Sequence, residues 1–150
     1  MVRSSPAADS RDTSLVATLL EGDLQGAAGR WDSARVIFAE GVTRHPALPI
    51  LLGRLATAAV HAGDTTEARR IGQVLASSNQ PYLFGSTSYA RARIAAALGD
   101  KAAAVDLLRT AWFQGRPIPF DDRNNEDVHS DPEFESLRNF YPFQALMRTD

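Results

Sequence analysis

The chain has 150 residues, a formal net charge of −2 and no cysteine. The absence of cysteine excludes disulfides, a thiolate nucleophile and any cysteine-ligated zinc site. The nearly balanced charge gives no general attraction to nucleic acid or to anionic lipid. A chain of this length fits a single domain with a sizeable core.

The first residues and the longest apolar run indicate where in the cell the protein is expected. Residues 1–13 are small and polar and contain no apolar run of the kind found in secretion signals, so we expect a disordered lead-in. The longest apolar stretch, residues 46–60, is interrupted by Arg54 and is shorter than the ~20 residues that a membrane helix needs. We therefore expect a cytoplasmic protein with no membrane contact.

A small signature occurs three times along the chain. Three glycines lie 34 and then 36 residues apart, each is followed five residues later by an alanine, and each unit closes with a proline. In chain order, these positions are Gly29, Ala34 and Pro46, then Gly63, Ala68 and Pro81, then Gly99, Ala104 and Pro117. Self-similarity at this period is typical of stacked helical repeats.

Each unit is predicted to be a pair of helices. Apolar residues recur at three- and four-residue steps on both sides of each glycine. The glycine can end the first helix in the left-handed conformation, and a nearby aspartate can cap the second, with Asp64 and Glu67 spaced as in a capping box. The alanine marks a close helix crossing. The predicted pairs span residues 14–46, 47–80 and 81–117.

The repeated pattern resembles a known family. Gly29, the aromatic Trp31, Ala34, the large apolar Phe38 and a closing proline resemble the tetratricopeptide repeat. The resemblance covers roughly residues 15–117. It implies an all-α fold, a right-handed α-α superhelix of three helix pairs plus C-terminal capping helices.

Residues 118–150 depart from the repeat and are predicted to be an acidic loop followed by a capping helical tail. An open stack needs a terminal lid, and four apolar residues have suitable spacing: Phe134, Leu137, Phe143 and Leu146. This tail is similar to the C-terminal ends of tetratricopeptide regions attached to bacterial serine/threonine kinases, adenylate cyclases and transcriptional regulators. That similarity implies a role in bacterial signalling or regulation.

The sequence offers few groups for catalysis. The acidic loop with His129 could hold a divalent cation, but it lacks the spacing of a calcium loop or of His-Glu-x-x-His. There is no Gly-x-Ser-x-Gly elbow and no phosphate-binding loop. We expect no enzyme activity, no metal and no cofactor. The arginine pairs Arg69–Arg70 and Arg91–Arg93 are predicted to lie on solvated faces, with no direct contact to nucleic acid.

The resemblance implies that the first helix of each pair lines a concave groove. The matching positions are Val16, Leu19, Asp23, Ile50, Gly53, Thr57, His61, Ser86, Tyr89 and Arg93. Tyr89 and Arg93 lie four apart on one helix face and are predicted to anchor a partner, because tyrosine and arginine dominate binding hot spots. Packing of Tyr89 against a neighbouring helix is the alternative.

These positions lack the lysines and asparagines with which similar repeats grip an acidic C-terminal peptide, so no carboxylate clamp is expected. A helix or an extended segment that docks through side-chain anchors fits better.

A leading hypothesis for function and an alternative follow. The first is a non-enzymatic scaffold or sensor that binds a protein or peptide in the concave groove. The second is an oligomerising structural fragment of a larger kinase, cyclase or transcriptional regulator, whose repeats stack against another copy or against an attached effector domain. A metal-dependent enzyme built on the acidic loop is a third class.

Overall fold

The computed structural model describes residues 6–78, 85–115 and 131–148, and within these ranges the regular structure is helical. The elements are α1 (Pro6–Ala27), α2 (Trp31–Arg44), α3 (Pro49–His61), α4 (Thr65–Ala76), α5 (Ser86–Ala97), α6 (Lys101–Phe113), a 3₁₀ helix (Pro132–Leu137) and α7 (Tyr141–Met147). Each helix from α1 to α5 packs on the next one in the chain. The all-α class predicted from the sequence is therefore correct.

The first helix starts earlier than the sequence analysis predicts. α1 begins at Pro6, so the predicted disordered lead-in is helical from Pro6 onward, and residues 1–5 lie outside the described residues. Proline suits the first turn of a helix, and the alanines that follow it are strong helix formers. The predicted start at residue 14 follows from apolar periodicity. A helix can extend two further turns toward its N-terminus without apolar residues at helical spacing.

The repeated glycines end the first helix of each pair in the same way. Gly29, Gly63 and Gly99 have φ angles of +77°, +93° and +84°. After Gly63, the backbone N–H of Asp64 donates to the carbonyl of Ala59 at 2.7 Å. This six-to-one hydrogen bond is the Schellman arrangement, and it confirms the helix ends predicted from the glycines.

Aspartates cap two of the second helices, as predicted. The side chain of Asp64 accepts from the backbone N–H of Glu67 at 3.1 Å, and Asp100 accepts from the N–H of Ala103 at 3.2 Å. The predicted capping box is only half formed, because the carboxylate of Glu67 pairs instead with Arg70 at 2.8 Å. The Asp64 amide, which Glu67 would have bonded, already donates to the preceding turn.

Small residues lie at the close helix contacts. Ala34, Ala68 and Ala104 are fully buried, as expected of crossing positions. α3 and α5 also approach closely, since a Cβ added to Gly53 would lie 2.9 Å from the Cβ of Ala90. Gly53 was predicted to line the groove, but its place in the fold is this helix contact.

The C-terminal elements pack on the last helix pair. The 3₁₀ helix lies on α5, and α7 lies on α6. The four residues predicted to form a lid are all buried in one cluster with side chains of α5 and α6: Phe134, Leu137, Phe143 and Leu146. Across the described residues, no helix combines the length and the apolar character needed to span a bilayer.

Candidate functional site

A partly buried ion pair joins the first helices of the first and second pairs, with the Asp23 side chain 34% exposed. Arg54 lies within α3 and is only 4% exposed. Its Nε donates to Oδ1 of Asp23 in α1 at 3.0 Å, and its Nη2 donates to Oδ2 at 3.3 Å. A buried guanidinium is stable only when it is paired in this way. The charge that interrupts the apolar run of α3 therefore connects α3 to α1.

The two predicted anchors, Tyr89 and Arg93, are not exposed on an open groove. Tyr89 is fully buried and Arg93 is 6% exposed. The Tyr89 hydroxyl donates to Oδ2 of Asp131 at 2.9 Å, and Nε of Arg93 donates to the same oxygen at 2.8 Å. Asp131 of the same chain covers both side chains, so they do not line an open groove in this structure, and their contact with a partner stays a prediction.

A second acidic residue of the tail reaches α3. Both carboxylate oxygens of Glu133 lie near Nε2 of His61, at 3.0 and 3.1 Å. The imidazole also stacks on the indole of Trp31, with ring centroids 4.1 Å apart. His61 therefore connects the tail to the first helix pair, and its side chain stays 35% exposed.

An aromatic contact completes the docking of the tail. Phe134 is 1% exposed and meets Tyr89 edge to face, with ring centroids 5.5 Å apart and an interplanar angle of 82°. This is a preferred geometry for aromatic pairs. The segment Asp131–Leu137, which we call the docked segment, is thus bound to the first helices of the second and third pairs through acidic and aromatic side chains.

A cavity of about 310 Å³ lies between α1, α2, α3, α5 and the docked segment. Its charged lining comes from the pairs Asp23–Arg54 and Arg93–Asp131 and from Glu133. Trp31 and Phe38 form aromatic walls of the cavity. Their rings pack against α1 at Gly26 and Gly22, respectively, where the Cβ of any other residue would overlap them. The volume is at the lower end of ligand pockets and suits one or two side chains of a bound segment.

The remaining predicted groove residues lie in different surroundings. Thr57 is buried in the cavity lining, and its hydroxyl donates to the carbonyl of Arg54 at 3.1 Å. Ile50 and Leu19 are partly buried against the core of the first two pairs. Ser86 is half-buried at the start of α5, outside the cavity lining. The structure therefore brings together Asp23, Thr57, His61, Tyr89 and Arg93, but not Ile50 or Ser86.

Sequence reasoning missed four residues of this site: Trp31, Arg54, Asp131 and Glu133. Trp31 was used only as part of the repeat pattern, and Asp131 and Glu133 were placed only within the predicted acidic loop and capping tail. Arg54 did carry a signal, since a single charge within an apolar helix is expected to need a buried partner. Asp131 does also cap the 3₁₀ helix, by accepting from the N–H of Glu133 at 3.0 Å.

The metal hypothesis gains no support from the part of the chain that the structure describes, in which no group of three potential ligand side chains could hold an ion. The acidic loop and His129, on which that hypothesis rested, lie outside the described residues. The site instead offers paired charges and aromatic walls, an arrangement suited to holding a peptide segment by its side chains.

The contact between His61 and Glu133 should make tail docking depend on pH. The hydrogen bond to Glu133 raises the pKa of His61 above its usual 6.5, against the opposing effects of partial burial and of Arg93. A raised folded pKa contributes stability that is fully present below pH 6.5 and is lost as the pH rises through the raised value. We therefore expect Glu133→Gln to destabilise the protein more at about pH 5.5 than at about pH 8.5.

Urea denaturation of the wild type and of Glu133→Gln at both pH values measures this difference. An equal loss of unfolding free energy at the two pH values would contradict the ion pair between His61 and Glu133.

Comparisons of the chain with protein-family models, with curated proteins and with solved structures find no match in any of the three.

Proposed function

We propose that this chain is a tetratricopeptide-like interaction module, in which three helix pairs form a superhelical stack whose concave face binds a short segment of a partner protein. One observation carries the proposal. The first-helix face already holds a peptide segment, Asp131–Leu137, through side-chain anchors on α3 and α5. A surface that binds one such segment has the shape and chemistry to bind another.

The open cavity beside the docked segment supports the same function. Its walls combine the aromatic ring of Trp31 with the charges of Asp23 and Arg54. Aromatic and arginine side chains contribute most of the energy at protein interfaces, especially around a pocket that excludes water. We propose that this cavity receives an anchor side chain of the partner. The similarity of the tail to those of bacterial regulators makes cytoplasmic signalling the setting we propose.

The cavity can be tested with two variants that change the charge equally. Asp23→Lys reverses the charge at the cavity wall, whereas Asp32→Lys makes the same change on an exposed position of α2 outside the cavity lining. Affinity purification with quantitative mass spectrometry identifies the partners that the wild type captures. We expect Asp32→Lys to retain these partners and Asp23→Lys to lose them. With a purified partner, the affinity should fall at least ~10-fold, as for loss of a charged contact.

Thermal denaturation of both variants shows whether they remain folded. Equal capture of every partner by the two variants would contradict a role for the cavity.

Self-association is a second candidate, favoured by an exposed stripe on α1. Val16, Leu20 and Leu24 follow one another at four-residue spacing and are 56%, 53% and 67% exposed. Large apolar side chains on one helix face favour burial against another surface, and a second copy of α1 would offer a matching stripe. Light scattering over a range of concentrations tests this candidate, since a chain that stays monomeric at high concentration does not use the stripe in this way.

A further inference from the structure

We propose that the surface formed by His61, Tyr89 and Arg93 recognises an acidic segment with the pattern Asp-x-Glu-aromatic-x-x-Leu in a partner protein, and that the docked segment occupies this surface as a built-in competitor. The inference rests on the proposed function and adds the chemical class of the partner to it. The surface and the docked segment both belong to the described residues, and their contacts define the pattern.

The first position of the pattern requires a carboxylate. Oδ2 of Asp131 accepts from the Tyr89 hydroxyl at 2.9 Å and from Nε of Arg93 at 2.8 Å, and Asp131 is 8% exposed. Its other oxygen accepts from the N–H of Glu133, which holds the segment in the bound turn. Charge-assisted hydrogen bonds of this kind are roughly twice as strong as neutral ones. An asparagine at this position would lose the charge that Arg93 matches.

The third and fourth positions of the pattern also contact side chains of the recognition surface formed by His61, Tyr89 and Arg93. Glu133 is 7% exposed and places both oxygens near Nε2 of His61. Phe134 is buried against the ring of Tyr89. Of the charged groups around this contact, His61 and Arg93 attract an acidic segment, while Asp23, which also lines the cavity, is already paired with Arg54.

The exposed positions of the segment explain the rest of the pattern. Pro132, Glu135 and Ser136 are exposed, so the surface does not select them, whereas Leu137 is fully buried. The buried positions therefore occur at the first, third, fourth and seventh residues of the segment. A partner that presents these four side chains matches the buried contacts that the docked segment makes within the part of the chain that the structure describes.

Covalent attachment gives the docked segment a large advantage over an outside segment. A tethered ligand has an effective concentration on the order of mM, so an external segment of equal intrinsic affinity must approach that concentration to compete. A partner that also places a side chain in the adjoining cavity gains contacts with the residues that line it, among them Trp31 and Asp23. We infer that such a partner displaces the docked segment.

The test uses full-length protein and a fluorescein-labelled peptide that copies residues 131–138. The control peptide carries Asp131→Asn and Glu133→Gln. In the protein, Asp131→Asn together with Glu133→Lys weakens the docked segment and gives the opened variant. By fluorescence anisotropy, we expect the opened variant to bind the acidic peptide at least 10-fold more tightly than the wild type does, and at least 10-fold more tightly than it binds the control peptide.

Adding His61→Ala to the opened variant should weaken binding of the acidic peptide about 10-fold, because one charged hydrogen bond is lost. Equal binding of the two peptides, or no binding to the opened variant, overturns the proposal. If the separate experiment then shows partners that Asp32→Lys retains and Asp23→Lys loses, the proposed function is still supported.

Circular dichroism shows whether the opened variant folds. If it does not, a measurement on the wild type provides the test. At several mM peptide, we expect amide NMR signals of α3 and α5 to shift with the acidic peptide and not with the control peptide. No shift, or equal shifts with both peptides, overturns the proposal. A wild-type dimer in which each copy's docked segment lies on the other copy would also overturn it, because the occupant would then be a second copy.

Discussion

Replacing Phe134 with alanine should lower the free energy of unfolding by about 3–5 kcal/mol, as is usual when a buried phenylalanine is truncated in a well-packed core. Phe134 is 1% exposed and belongs to the cluster that joins the tail to α5 and α6. Its removal leaves a cavity against the ring of Tyr89, which Phe134 meets edge to face. Urea denaturation followed by circular dichroism measures the change.

Tyr141→Ala provides a matched control, since it also removes an aromatic ring from the C-terminal elements. Tyr141 is 68% exposed at the start of α7. We expect this variant to change the unfolding free energy by no more than about 0.5 kcal/mol, as is typical of surface substitutions. Equally small effects of Phe134→Ala and Tyr141→Ala would show that the docked segment is not packed as described.

Asp131→Ala should also destabilise the protein strongly, by about 3–5 kcal/mol, the range found when one partner of a buried ion pair is removed. The side chains of Asp131 and Arg93 are 5% and 7% exposed. The substitution takes the carboxylate away from the Arg93 guanidinium and from the Tyr89 hydroxyl together. The same urea denaturation experiment measures this loss.

A surface pair of the same chemistry serves as the control. Asp106 and Arg109 form an ion pair at 3.1 Å on α6, with side chains 75% and 48% exposed. Asp106→Ala should change the unfolding free energy by about 1 kcal/mol or less, because exposed pairs contribute little. If Asp131→Ala is as mild as Asp106→Ala, the tail is not held by a buried charge.

The sequence predicted the glycine helix ends and the aspartate caps because their signals are local. Gly63 and Asp64 specify the end of one helix and the cap of the next through hydrogen bonds that span only a few residues. Ala34, Ala68 and Ala104 lie in phase with the glycines, so their burial could be expected from spacing alone. The apolar residues of the tail could likewise be assigned to a core, although their exact neighbours could not.

The site was only partly predictable because its contacts join distant parts of the chain. Tyr89 and Arg93 were placed on the correct helix, but their partner Asp131 lies 42 and 38 residues away. The contact between His61 and Glu133 spans 72 residues. Helical periodicity identifies a face and not what covers it, so residues that looked available to a partner are covered by the tail.

The central claim is that the docked segment lies on the face formed by α3 and α5. The most direct test is the nuclear Overhauser effect between aromatic ring protons, because the centroids of Tyr89 and Phe134 are 5.5 Å apart. We predict clear cross-peaks between these two rings, and cross-peaks between the rings of His61 and Trp31 serve as an internal reference. If the reference cross-peaks appear while Phe134 shows none to Tyr89 and has random-coil shifts, the claim is contradicted.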